Sequence, residues 1–207
     1  GELKESVGKG NVFVLMADLD ALAHKAGMST EFDSHLLKCD KWVESVATQC
    51  EMIGEPLVIL SDHGMKKVKE SDSFSVNVEK ACGRASSSSY LYFLDATMIR
   101  FWIYDENFRV KIESYMNGLK EVFEIDRGRR SQLGITKKDF GDLIYFTKEG
   151  KYIHPCFLGS SHPLALHGYD PEFISQEAYL GGININGTGE VDKAVDMYKF
   201  LNHNLTK

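Results

Sequence analysis

Ser61-Asp62-His63-Gly64-Met65 is the stretch on which the reading of the fold turns. It follows Glu55-Pro-Leu-Val-Ile-Leu60, an apolar run of strand type. A buried strand that ends by delivering a carboxylate, an imidazole and a glycine suits a metal site at the carboxyl end of a parallel sheet, where α/β proteins place their ligands. The carboxylate of Asp62 is a hard oxygen ligand, and the imidazole of His63 suits zinc and its neighbours. Gly64 lets the chain turn sharply without a Cβ in the way. A plain strand ending in a polar turn could be spelled with the same letters. Two further stretches, Asp20-x-x-x-His24 and His167-Gly168-Tyr169, therefore bear on the choice.

Working outward, Gly1 to Gly10 is a polar lead-in. Asn11-Val-Phe-Val-Leu-Met-Ala17 is continuously apolar, which predicts a central parallel strand. It ends in Asp18-Leu19-Asp20. If a helical turn starts there, Asp20 and His24 reach one point, being four residues apart. Ser29-Thr30 before Glu31 and Asp33 is a helix start. Phe32, Leu36, Cys39, Val43, Val46 and Cys50 then mark one face of a helix to about Ile53, which Gly54 ends. His35 lies beside that stripe and reads as structural. Strand, helix and strand over this length predict a right-handed βαβ unit. Such a unit puts Asp20 and Asp62 at the same edge of the sheet.

Beyond Met65 the character changes. Lys66 to Asp72 is a charged turn and Phe74 to Val78 alternates like a half-exposed strand. Gly83 to Ser89 is a loop. Tyr90–Leu94 and Met98–Tyr104 predict two strands around a turn at Asp95-Ala96-Thr97. Glu106 to Val122 has helical periodicity, and Asp126 to Arg130 is a polar loop with three arginines. Asp142–Phe146 and Tyr152–His154 predict a hairpin. Residues 66–158 thus form a smaller, strand-rich, locally antiparallel subdomain. The chain then returns through a loop holding His162 and His167 to a last strand at Ala178–Ile185. A helix from Glu190 to Leu205 closes it, with Val191, Ala194, Val195, Tyr198 and Leu201 inward.

Composition sets the outer limits. The chain has 207 residues, 43% hydrophobic and 26% charged, enough for a substantial core. Its formal charge of −6 argues against a surface that coats nucleic acid. No apolar run is long enough to span a bilayer. Cys39, Cys50, Cys82 and Cys156 form no C-x-x-C pair, and Cys39 and Cys50 lie too far apart along one helix to bridge. They read as reduced and mostly buried, which suits a cytoplasmic setting. The chain begins with Gly rather than Met, as an excised segment does, so its lack of a signal peptide says nothing of the native protein.

Asp-x-x-x-His-x-x-Gly, then Ser-Asp-His-Gly-Met after a strand, then His-Gly-Tyr, in that order, resembles the alkaline phosphatase superfamily. The branch it is most similar to is the type I phosphodiesterases and nucleotide pyrophosphatases, which Gly141-Asp142-Leu143-Ile144 also resembles. The resemblance runs from about Val12 to Ile185 and covers only the later part of that family's catalytic domain. It implies a doubly wound α/β fold with a mainly parallel sheet. It implies two divalent metal ions, zinc first and manganese second, with Asp20, His24 and His167 holding one and Asp62 and His63 helping to hold the other. Two metals about 4 Å apart grip both the attacking and the leaving oxygen of a phosphoryl group. Imidazoles must be neutral to bind, so metal affinity should fall below about pH 6.

The family's nucleophile, a Thr or Ser, and a further Asp ligand lie upstream of the Asp-x-x-x-His segment. Ser6 does not follow a strand and receives no role. The catalytic nucleophile is accordingly expected outside this chain, and the segment alone should be weak or inactive. The expected substrate is a small phosphorylated molecule or nucleotide. Phosphomonoesterase, phosphomutase, phosphonate hydrolase or sulfatase chemistry, or a non-catalytic binding role, are the alternatives. Arg100 is the leading candidate to hold a substrate anion, with Arg84, Arg127, Arg129 and Arg130 behind it. Tyr90, Tyr92 and Trp102 could stack a base. His154 and His162 are weaker candidate ligands than His167.

Overall fold

The computed structural model describes residues 10–205. Ser6 and most of the polar lead-in fall outside them. Contacts divide the chain into two units, one within Gly1–Gly64 and Glu177–Lys207, the other Met65–Gln176.

The first unit carries helices α1 (Asp18–Ala26) and α2 (Thr30–Ile53), strands β1 (Leu57–Leu60) and β10 (Leu180–Ile183), and helix α6 (Met197–Leu205). Helix α2 forms where its signals lie. The Ser29 side chain accepts from the Phe32 amide at its start, and Gly54 closes it in the left-handed region. Its expected apolar stripe is only partly covered. Val46 and Cys50 are buried, whereas Leu36 is exposed.

The strand expected at Asn11–Ala17 is absent. A strand exists through its ladder, and no described segment pairs with this one, so Val12, Phe13, Val14 and Leu15 stand 44% to 84% exposed. The right-handed βαβ unit is therefore not formed among the described residues. β1 instead pairs antiparallel with β10, from Leu57↔Ile183 to Leu60↔Leu180. The closing helix is also shorter than its pattern. It begins at Met197 after two 3-10 turns and buries Phe200, while Val195 and Tyr198 are exposed.

The second unit is built on a four-stranded antiparallel sheet in the order β4-β5-β7-β6, comprising Tyr90–Leu94, Met98–Ile103, Leu143–Thr147 and Val122–Glu124. Alternation along the strands sorts its two faces. One face packs Tyr90, Leu94, Ile99, Phe101, Leu143 and Tyr145 against Ile112 and Met116 of α4 (Glu106–Asn117) and against α3 (Val78–Cys82). The other face gathers Ile144, Phe146, Met98 and Phe123 with Ile125, Leu133 and Phe140.

Four expectations for this unit are corrected. Val78 starts α3 rather than ending a strand, and β3 is only Ser73–Phe74. Helix α4 stops at Asn117, and Val122 joins β6. The arginine loop is a short helix, α5 (Arg127–Gln132), capped by Asp126. β7 and β8 (Tyr152–Ile153) are no hairpin, because β5 and β6 already fill both edges of β7. β8 pairs with β3, the one parallel ladder described. A last short pair joins β2 (Lys66–Lys67) and β9 (Ala165–Leu166), antiparallel. The whole is mixed helix and sheet, with several small sheets and no closed barrel among the described residues. No described helix is long and apolar enough to cross a membrane.

Candidate metal centre

Asp20 sits in the first turn of α1 and His24 one turn on, as their spacing predicts. His24 Nε2 lies 3.4 Å from Asp20 Oδ1, and both side chains are part-exposed. Asp62 and His63 follow β1 directly. His63 Nδ1 is 2.9 Å from the Gly64 carbonyl. With its proton on Nδ1, the ring donates to that carbonyl and keeps the lone pair on Nε2, the arrangement by which backbone oxygens orient metal-binding imidazoles. Asp62 Oδ2 lies 3.5 Å from His63 Nε2 and is itself largely exposed.

Asp20 and His63 belong to the same unit and each offers a ligand atom, the two within 4.8 Å of one another. A carboxylate oxygen and an imidazole nitrogen at that separation fit a divalent ion of the zinc type. Ser61, the residue before Asp62, is otherwise engaged. Its amide donates to the Tyr179 carbonyl at 2.9 Å, and its hydroxyl accepts the Tyr179 amide at 2.8 Å. His35 pairs with Asp18 at 3.4 Å, a contact between α1 and α2.

His167 lies in the second unit, half-buried, directly after β9. The register of β2 and β9 sets Lys66 against Leu166 and Lys67 against Ala165. Gly168 follows with φ +84°, and a Cβ there would come within 2.9 Å of Thr97 Oγ1. Tyr169 is buried, and that burial pushes its phenol pKa well above the ordinary range. Asp170 is 5% exposed and receives a bidentate grip from Arg129.

The remaining candidates separate cleanly. Arg130 donates to the carbonyls of Ile125, Gly141 and Asp142 and is committed to holding backbone. Arg84 and Arg127 are exposed. The Arg100 guanidinium lies over the rings of Phe140, Phe93 and Trp102 at 4.7, 5.4 and 5.5 Å. Tyr90 cannot stack a base. It is fully buried, its hydroxyl donates to the Gly83 carbonyl, and burial pushes its pKa up to about 12. Tyr92 packs on the same core and Trp102 Nε1 donates to the Asp139 carbonyl. His154 and His162 stack on each other at 3.7 Å, and His162 is further held by Tyr152 and Glu70. Asp170 is the residue that sequence reading missed, and Arg129, expected as an anion-binding candidate, is its partner.

Against protein-family models the chain has no match, and no curated protein matches it either. Solved structures do match. An inactive threonine-to-alanine variant of murine ectonucleotide pyrophosphatase/phosphodiesterase 5, in complex with AMP, superposes with a TM-score of 0.68 over 90% of this chain and 51% of that one, at 16% identity. The human counterpart gives 0.67 over the same shares, also at 16%. Phosphonoacetate hydrolase from Sinorhizobium meliloti 1021, in complex with phosphonoacetate, gives 0.63 over 90% and 50%, at 16%. This chain has the alkaline phosphatase-like fold of that branch. It spans about half the length of those solved structures. At such identity the likeness carries the fold, and chemistry must be argued from this chain's own side chains.

Proposed function

We propose that the chain is the metal-holding part of a metal-dependent phosphoryl-transfer hydrolase, of nucleotide pyrophosphatase or phosphodiesterase type. The observation that carries this reading is the approach of Asp20 and His63 to within 4.8 Å, from separate elements. Fold likeness to a pyrophosphatase/phosphodiesterase captured with AMP supports it. In this proposal Asp20, His24, Asp62, His63 and His167 are the metal ligands. Zinc is the first choice and manganese the second. When bound, two such ions would polarise the phosphoryl oxygens. The chain's own part is to offset metal charge with Asp20 and Asp62 and to present the His63 Nε2 lone pair, with Nδ1 tied to the Gly64 carbonyl. Arg100 is the candidate to bind a substrate anion. Ser61 is not the proposed nucleophile, since its hydroxyl is engaged by the Tyr179 amide.

The test has two arms. Zinc titration should show that Asp20→Ala and His63→Ala each bind at least about 10-fold more weakly than the parent. Parent-like affinity in both would end the reading. Hydrolysis of bis-p-nitrophenyl phosphate with zinc or manganese should be slow or absent for these 207 residues and fast for a longer polypeptide of the same protein. Equal rates would place the nucleophile inside this chain. The likeness to a phosphonate hydrolase gives phosphonoacetate as the second substrate to assay. Preferential turnover of phosphonoacetate would favour that branch.

A further inference from the structure

His167 sits between two tightly held neighbours. Before it, Ala165 and Leu166 are 0% and 7% exposed and laddered to β2. After it, Gly168 lies against buried Thr97, and buried Tyr169 packs with Val68, Tyr152 and Leu166. The Tyr169 amide donates to Gln176 Oε1 at 3.1 Å. Then comes Asp170, a buried carboxylate that requires a donor. Arg129 meets it as a fork, Nε to Oδ2 at 3.1 Å and Nη2 to Oδ1. Arg129 Nη1 reaches Glu172 Oε1 at 2.6 Å, and the Glu172 amide returns to Asp170 Oδ1 at 3.0 Å. The arginine is itself anchored, its amide donating to Asp126 Oδ1 at 2.7 Å at the start of α5.

A buried ion pair is weak evidence for stability, because apolar residues of like volume often serve as well. What a bidentate fork adds is geometry, two parallel bonds that fix a plane and a direction. Here the group so fixed is the carboxylate of Asp170, three residues after His167. We propose that Arg129 is a positioning residue, acting through Asp170 to hold the His167–Asp170 segment so that the imidazole is presented to a metal ion in one orientation. The inference rests on His167 being a ligand, as proposed above. Neither Arg129 nor Asp170 touches the metal.

Zinc titration of the 207-residue chain, carried out well below each variant's urea midpoint, tests it. Arg129→Gln and Asp170→Asn should each weaken zinc binding by about 10-fold or more. Arg129→Lys keeps the charge without the fork and should recover only part of that loss. In a His167→Ala background, Arg129→Gln should cause no further loss, because both changes act on one ligand. A purely structural pair would lower the urea midpoint and leave native-state zinc affinity unmoved. Parent-like affinity in Arg129→Gln overturns the proposal, as does a loss that persists once His167 is gone. If His167→Ala itself binds like the parent, the ligand assignment falls and the clamp falls with it. That result is distinct from one in which His167→Ala weakens binding and the clamp variants do not. Should Arg129→Gln fail to fold, Arg129→Lys and Asp170→Asn carry the same comparison in both backgrounds.

Discussion

A single methyl group added at residue 168 has nowhere to go. Gly168 holds φ +84°, and its Cβ would crowd Thr97 Oγ1 on a buried side chain. Gly168→Ala should therefore cost roughly 1–3 kcal/mol, the range for a residue forced into a disfavoured backbone region, read as a lower urea midpoint. Alanine at exposed Gly54, which also has positive φ but open space, meets only the backbone term and should cost less. Much of the proposed site was legible at this scale. Asp20 and His24 pair because four residues make one helical turn, and His63 lies just past β1, whose extent was legible though its antiparallel pairing was not. Asp170 was not legible, because its donor stands 41 residues earlier, in a stretch that reads as a polar loop. Nor was the fate of Tyr90, since period-two alternation says that a strand has two faces without saying which is covered.

At the scale of elements, the four-stranded sheet and α4 hold the second unit's core together. Ile112 and Met116 are fully buried against Ile99, Phe101 and Tyr145. Ile112→Ala should lower stability by about 2–5 kcal/mol, the cost of lost burial plus a cavity, measured by urea denaturation. A weaker tie joins the turn before β3 to the strand lead at β8. Lys151 Nζ bonds Asp72 Oδ1 at 3.0 Å and holds the Asp72 carboxyl below the usual range, helped by the Lys69 amide. A depressed carboxyl contributes stability that is present above the unfolded-state value of about 4 and is lost as pH falls through the lower folded value. Asp72→Asn should thus cost under about 1 kcal/mol at pH 7, given the exposure of both groups, and nothing near pH 2. A gap in urea midpoint that persists at pH 2 would show that packing, not charge, is responsible. Elements with strong local signals came through from sequence: α2 with its caps, β4 and β5 around their turn. Pairings did not, because a strand's partner is settled by which edges remain open. β7 had none left for β8.

Across the whole molecule, protection should be uneven. The second unit has four laddered strands with packed faces, and the first has a two-stranded ladder flanked by helices that leave much apolar surface in water. Native-state hydrogen exchange should show the amides of β5 and β7 as the slowest, and those of β1 and β10 faster by at least about tenfold. Comparable protection in the two would refute this account. The mixed helix and sheet was readable from the order of elements and the family resemblance, but the expected central strand at Asn11–Ala17 was not decided by its own letters, since a parallel strand is made by its neighbours. That leaves β1 laddered on one side only among the described residues. A bare strand edge of Leu-Val-Ile-Leu is a template for intermolecular pairing. Concentrated solutions of these 207 residues should grow ordered, thioflavin-binding fibrils from that edge, and a proline at Val58 should stop them.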